Sequence, residues 1–235
     1  MQYIKGKNAI ITGVNSGLGL AFCKALALAG AHVVGWGRSA PEEPIENFHF
    51  IPTELDQAIS IENSLQQSLE WFPEKRIDFL ITNAGLGRFY PIEQMPESLW
   101  DEQISINLKS MFLCVQKVVP LMKAKGSGHI VTLSSVAGKT GASWGTAYSA
   151  TKFGVVGFSE SLFQEVRASG IKVSVVYPGS TQTNFFDTVP GISTHHNMLT
   201  TEAVANTVLH ILNTDQNTLI SEVVIRPLNS KPPEK

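Results

Sequence analysis

Cysteine is nearly absent, with Cys23 and Cys114 the only two in 235 residues. They lie far apart, without the close Cys/His spacing of a zinc site or a redox pair, and are read as buried thiols in a reducing compartment. Charge is sparse as well: 16% of residues are charged, the formal net is −2, and no long run carries one sign. This excludes the basic stripe of a nucleic-acid groove and the polybasic patch of a membrane-surface protein. No apolar run reaches the roughly 18 residues that span a bilayer. The first β-rich run begins too close to Met1 to leave space for a secretory signal. The expectation is a cytoplasmic protein whose partner is a small molecule, with neither nucleic acid nor membrane as a partner. Repeats, linkers and low-complexity tracts are also missing, so residues 1–235 are read as one domain. Only the tail 227–235, with three prolines, is expected to fray.

What is present is a hydrophobic fraction of 43%, enough for a substantial core. Short β-branched runs alternate with longer amphipathic stretches, the pattern of βαβ units and a parallel sheet. Strands are predicted at 8–12, 32–35, 48–51, 79–82, 129–133, 172–176 and 222–225, mostly as unbroken apolar runs suited to burial on both faces. Helical periodicity covers 18–29, 59–72, 99–125, 147–167 and 201–212, with Gly30 and Gly170 where two of these should stop. Right-handed crossovers then place helices on both faces of about seven strands, an α/β doubly wound sheet in a single domain. Ligands of such sheets lie beyond the carboxyl ends of the strands, so the loops that follow each strand are where chemistry is sought.

The first of these loops reads Thr12-Gly13-Val14-Asn15-Ser16-Gly17-Leu18-Gly19 and opens directly into a helix. Glycines permit a tight turn and close approach of backbone to a pyrophosphate, while the helix N-terminus offers N–H groups and a positive dipole end. Gly13, Asn15, Ser16, Gly17, Leu18 and Gly19 are therefore candidate cofactor residues. The spacing differs from the Gly-x-Gly-x-x-Gly of common dinucleotide folds. It resembles the Thr-Gly-x-x-x-Gly-x-Gly element of the short-chain dehydrogenases/reductases, which implies a Rossmann-type domain.

A second constellation joins Ser135, after the fifth predicted strand, to Tyr148 and Lys152 on the following helix. Four residues apart, Tyr148 and Lys152 share one helix face. A phenol is a weak acid near neutrality, and a neighbouring ammonium is expected to lower its pKa. Tyr148 would exchange a proton with a carbonyl oxygen that Ser135 also holds. The resemblance then runs from Lys7 to about Pro227. It implies that Asn107 completes the catalytic group by holding a water that links Lys152 to solvent, and that Lys152 bonds the nicotinamide ribose. Thr82-Asn83-Ala84-Gly85 is similar to the family's Asn-Asn-Ala-Gly element, so Asn83, Ala84 and Gly85 join the cofactor residues. Pro178, Gly179, Thr181 and Thr183 fall in the segment like that which touches the carboxamide. Glu54, with Leu55, stands where the family often has an Asp at the adenine, and a solvated Glu is the equal alternative.

Cofactor choice is read from the end of the second strand. NAD selectivity uses an acid there to accept both ribose hydroxyls. Here that position is Gly37, followed by Arg38 and Ser39, a guanidinium and a hydroxyl suited to a 2′-phosphate. NADP(H) is expected to be preferred over NAD(H), although the family's other basic site, inside the glycine loop, holds Asn15 and Ser16.

Residues 184–197 form a loop with no predicted regular structure that by resemblance folds over the substrate. Phe185, Phe186, Val189, Pro190 and Ile192, with Phe89, Tyr90 and Trp144, are candidates for an apolar pocket, or for core and subunit contacts. Arg88 is read as an exposed structural Arg, with a hold on a substrate carboxylate or phosphate as the alternative. His195-His196 are adjacent, so their side chains diverge, and no third ligand is evident: no metal is expected. The leading reading is a carbonyl reductase/alcohol dehydrogenase, followed by a 3-oxoacyl-(acyl-carrier-protein) reductase and by a non-catalytic cofactor-sensing regulator. The resemblance implies a homo-oligomer, a tetramer ahead of a dimer.

Overall fold

A computed structural model describes residues 2–189 and 193–231. Its centre is a seven-stranded parallel sheet in the order β3-β2-β1-β4-β5-β6-β7. The strands are β1 (Asn8–Thr12), β2 (His32–Gly37), β3 (Phe48–Pro52), β4 (Phe79–Thr82), β5 (Gly128–Leu133), β6 (Ile171–Pro178) and β7 (Glu222–Ile225). Alternate residues feed two cores, because a strand's side chains point to opposite faces in turn. Ile11, Val33, Ile81, Val131 and Val176 pack with α1 (Gly17–Leu28) and α6 (Thr201–Leu212). Ile10, Val34, Leu80, Ile130 and Val173 pack with α2 (Ala58–Trp71) and with the helices α4 (Ser110–Lys125) and α5 (Thr146–Val166). This is the doubly wound, Rossmann-type domain that the alternating pattern predicts.

Two segments differ in kind from the sequence-based expectation, beyond shifts of a few residues at element ends. The predicted helix 99–125 is divided into α3 (Glu97–Ile104) and α4 by a π-turn at Ser105–Lys109. A single turn of this kind inside a long helix shifts the apolar pattern by only one residue, too little to read from an approximate periodicity. The whole stretch Glu97–Lys125 is long and apolar enough to cross a membrane by length and composition. Its apolar side chains Met111, Leu113, Val115, Val118 and Met122 are buried against the sheet, as in a core helix. The loop 184–197, expected to lack regular structure, opens with a 3₁₀ turn at Asn184–Thr188 that the Thr183 side chain caps. The tail has neither helix nor strand as far as Lys231, whose carbonyl accepts from Asn197 Nδ2 at 2.9 Å; residues 232–235 lie outside the described residues.

At the amino ends of the strands, opposite the loops sought for function, Asp78 ties three segments together. It accepts from Asn8 N–H at 2.9 Å and from Lys125 Nζ at 2.6 Å, with Arg76 Nε at 3.4 Å. Burial alone would raise this carboxyl, but the bonds from Lys125 and the Asn8 amide hold it below the usual carboxylate value. Its stabilisation is thus present above the unfolded pKa of about 3.9 and lost as pH falls through the lower folded value. Asp78→Asn should cost about 3 kcal/mol at neutral pH, because it leaves a partly buried ammonium without its counter-charge. Urea unfolding measures this, and a loss under about 1 kcal/mol contradicts it.

Candidate active site

At the carboxyl ends of β1, β2, β4, β5 and β6, loops enclose a cavity of about 960 Å³. The loop after β1 is laced to the loop after β4. Thr12 Oγ1 accepts the N–H groups of both Asn83 and Ala84 at 3.0 Å, and Asn83 Nδ2 donates to the carbonyls of Thr12 and Gly13, also at 3.0 Å. Gly19 is where this packing is tightest: a Cβ would run into the Gly13 carbonyl and stand 2.6 Å from Asn83 Nδ2. Helix α1 begins beside the cavity with no side-chain cap and no acid in its first turn. Its opening N–H groups are therefore available to an anion, and the dipole favours one. The residues present fit a dinucleotide pyrophosphate.

The remaining cofactor candidates line the same cavity. Gly37, Arg38 and Ser39 close β2, with Arg38 and Ser39 exposed; Glu54 and Leu55 follow β3, and Glu54 N–H donates to Ser60 Oγ at 2.9 Å. Asn83, Ala84 and Gly85 stand in the middle, and Pro178, Gly179, Thr181 and Thr183 complete the wall. Gly179 N–H is held by the Ile225 carbonyl at 2.7 Å, so β7 positions this segment.

Ser135, Tyr148 and Lys152 meet where β5 and α5 approach. Ser135 begins a 3₁₀ turn, its Oγ accepting from Ala137 N–H at 3.1 Å. Burial pushes the Tyr148 phenol up to about 12, partly opposed by a hydrogen bond with Ser135. Burial likewise pulls the Lys152 ammonium down to about 8; Lys152 Nζ donates to the Leu133 carbonyl at 2.8 Å and lies 5.7 Å from the centre of the Tyr148 ring. The expected lowering of Tyr148 by Lys152 is thus not what the structure shows. Desolvation dominates both groups and drives each toward neutrality. Near pH 7 the phenol carries its proton, the form that can donate to a developing alkoxide.

Asn107 lies in the π-turn, 3% exposed. Its two amide hydrogens go to the Leu86 carbonyl at 2.8 Å and Thr151 Oγ1 at 3.0 Å, while Oδ1 accepts Leu86 N–H at 2.8 Å. It fastens the loop after β4 to α5, one turn from Tyr148. The extra residue of the π-turn aims it there.

Of the apolar candidates, Phe89, Trp144, Phe185, Phe186 and Val189 line the cavity, whereas Tyr90 does not. Tyr90 contributes backbone instead, its N–H donating to the Trp144 carbonyl at 2.8 Å. Pro190 and Ile192 lie outside the described residues. Arg88 is half-buried at the cavity wall and paired with Glu102 at 3.3 Å, and its N–H donates to Gln103 Oε1 at 2.9 Å. Neither His195 nor His196 lines the cavity, and no group of three metal-ligating side chains occurs among the described residues. Sequence reasoning gave no role to Thr12, Thr151 or Gln103. Thr12 opens the glycine-loop motif and Thr151 directly precedes Lys152, so each was open to question as a hydroxyl beside a motif residue; Gln103 carried no signal.

The family model for short chain dehydrogenases matches residues 7–190. An uncharacterized oxidoreductase of Staphylococcus haemolyticus is 28% identical over 235 residues, covering 97% of this chain and all of that one. The 3-oxoacyl-(acyl-carrier-protein) reductase of Escherichia coli is 35% identical over 186 residues, 77% of this chain and 75% of its own. Among solved structures, a metagenomic short-chain oxidoreductase in complex with NADP superposes with a TM-score of 0.80 at 28% identity, covering 97% of this chain and 99% of that one.

Proposed function

Because the chain belongs to the short-chain dehydrogenase/reductase family of oxidoreductases, we propose that it interconverts a ketone or aldehyde and an alcohol with NADP(H), Tyr148 acting as general acid/base. The observation that carries this is that Ser135, Tyr148 and Lys152 open into the same cavity as the uncapped start of α1. A nicotinamide cofactor bound there supplies or takes up a hydride at the carbonyl carbon. Tyr148 gives its proton to the carbonyl oxygen, and Ser135 holds that oxygen in reach. Lys152, Asn83, Thr181 and Thr183 hold the nicotinamide half, and Gly13 to Gly19 the pyrophosphate. The test is NADPH oxidation against a panel of ketones, diketones, 3-oxo acids and 3-oxoacyl thioesters; no oxidation above background with any of them overturns the reading.

The preference for NADP(H) rests on Gly37, Arg38 and Ser39, where no acid would repel a 2′-phosphate. The similar metagenomic oxidoreductase was solved with NADP. Arg38→Ala should weaken NADPH binding about tenfold to a hundredfold, the worth of a charge-assisted pair, and NADH binding by less than about threefold. Calorimetric titration reads both; equal losses would remove Arg38 from phosphate recognition.

A second reading, reduction of a 3-oxoacyl group on a carrier protein, is favoured by the similarity to the Escherichia coli enzyme of that name. An acidic carrier would call for a basic patch at the mouth, and Arg88, the base there, is already matched by Glu102. We place the protein in the cytoplasm, where the buried, unpaired thiols Cys23 and Cys114 stay reduced. A homotetramer is the proposed assembly. Phe112 on α4 and Phe153 on α5 are 42% and 47% exposed, apolar rings on the helices through which such subunits would pair. Sedimentation at micromolar concentration should give a species well above 25.6 kDa, and a lone monomer contradicts this.

A further inference from the structure

The substrate end of the cavity is walled by aromatic rings that proton and hydride transfer do not themselves require. Phe89 and Phe185 both pack against the Tyr148 ring and against each other, their ring centres 5.6 and 5.4 Å from its own. They meet each other edge to face at 6.2 Å, and Phe186 continues the wall at 5.5 Å from Phe185. Gly87 makes this wall possible, since a Cβ there would overlap the tip of the Phe185 ring and stand 2.8 Å from Phe89 Cε2.

The outermost ring is Trp144. Its φ of +59° is in the left-handed region, which a bulky side chain adopts only at a cost. The surroundings impose it: Tyr90 N–H holds the Trp144 carbonyl at 2.8 Å, and Gly145 N–H is bonded to the Ala142 carbonyl at 3.1 Å. The result is an indole that lines the cavity yet remains 56% exposed. A strained backbone that carries a large apolar ring out of the core and into the mouth of a cavity gives the fold nothing. It does give a ligand a flat surface.

Charge narrows the ligand. Among the described residues lining the cavity, Arg38, Glu54 and Asp56 stand at the ends of β2 and β3, away from the phenol, and Lys152 is turned to the Leu133 carbonyl. At the aromatic end the charged groups are Arg88 and Glu102, which neutralise each other. A carboxylate entering there would lose water and meet no uncommitted cation. An uncharged ring would exchange water for π-faces.

Resting on the carbonyl-reduction reading above, we propose that the substrate is a neutral ketone carried on a flat aromatic ring, and that Trp144 selects it by stacking. In the reducing direction the hydride forms a C–H bond at the carbonyl carbon, the C=O π pair moves to oxygen, and the Tyr148 proton completes the alcohol. NADPH, the reductant, leaves as NADP⁺.

Three carbonyls of equal heavy-atom count test this: acetophenone, 2-octanone and 3-oxohexanoate, each with saturating NADPH, and with NADH in parallel. The expected kcat/KM for acetophenone exceeds that for 3-oxohexanoate by about a hundredfold, the scale of burying an unpaired carboxylate. Trp144→Ala should raise KM for acetophenone about tenfold, and Trp144→Phe should restore most of it, because the smaller phenyl ring still offers a face for stacking. Equal or better efficiency with 3-oxohexanoate overturns the inference but leaves the reaction reading intact. So does a KM for acetophenone within about twofold in a Trp144→Ala protein whose melting temperature is unchanged. Failure of all three carbonyls and of the wider panel overturns the reaction reading, and this inference with it.

Discussion

Tyr148→Phe should lower turnover by about 10²–10⁴, the usual worth of proton-transfer catalysis, while cofactor affinity changes by less than about threefold. The argument is local. The ring is 9% exposed and packs against both Phe89 and Phe185, so a phenyl group refills the same space and the apolar wall survives. What leaves is one oxygen, its bond with Ser135, and the proton that this reading transfers to the carbonyl oxygen. Burial holds that phenol near 12, so in the unmodified protein it keeps its proton throughout the neutral range. Steady-state rates at saturating ketone, together with cofactor titration, check both halves. Retention of most of the activity would remove Tyr148 from the chemistry.

Lys152→Ala should damage two steps together. The proposed ammonium contacts the ribose of the bound cofactor and steadies charge as Tyr148 gives up its proton. Cofactor affinity and turnover should each fall about tenfold to a hundredfold, the range for hydrogen bonds to a charged group. The pH dependence sharpens the test. Burial pulls Lys152 down to about 8, so its charge is present below that pH and is lost as pH rises through it. Cofactor affinity of the unmodified protein should therefore weaken above about pH 8, and the variant should lack that decline. Unchanged affinity in the variant abandons the ribose role and leaves Tyr148 untouched.

The readable parts of this molecule were those whose physics is local. β1 and β4 show as unbroken apolar runs because both their faces are buried. The glycine loop shows because a strand-to-helix turn at an anion site demands residues without a Cβ, as the collision at Gly19 illustrates. Tyr148 and Lys152 show because one helical turn places them on one face. The unreadable parts depend on partners distant in sequence or on desolvation. The π-turn that carries Asn107 inside the segment 99–125 is a shift of one residue, too small to read from an approximate periodicity. The neutralisation of Arg88 needs Glu102 on another element, and the anchoring of Lys152 needs the Leu133 carbonyl at the end of β5. A reading of charges along the chain could not foresee that burial, rather than the ammonium, would set the Tyr148 proton.

The order β3-β2-β1-β4-β5-β6-β7 also has a consequence for how the chain assembles as it is synthesised. β2 joins β1, β3 joins β2, and β4 takes the free edge of β1; β5, β6 and β7 then add one after another at the growing side. No strand waits for a neighbour that has not yet left the ribosome. Parallel pairing forces every closure to span a crossover, which slows folding and prolongs the exposure of unpaired edges. Growth in the order of emergence confines that exposure to the two outer edges of an already ordered sheet.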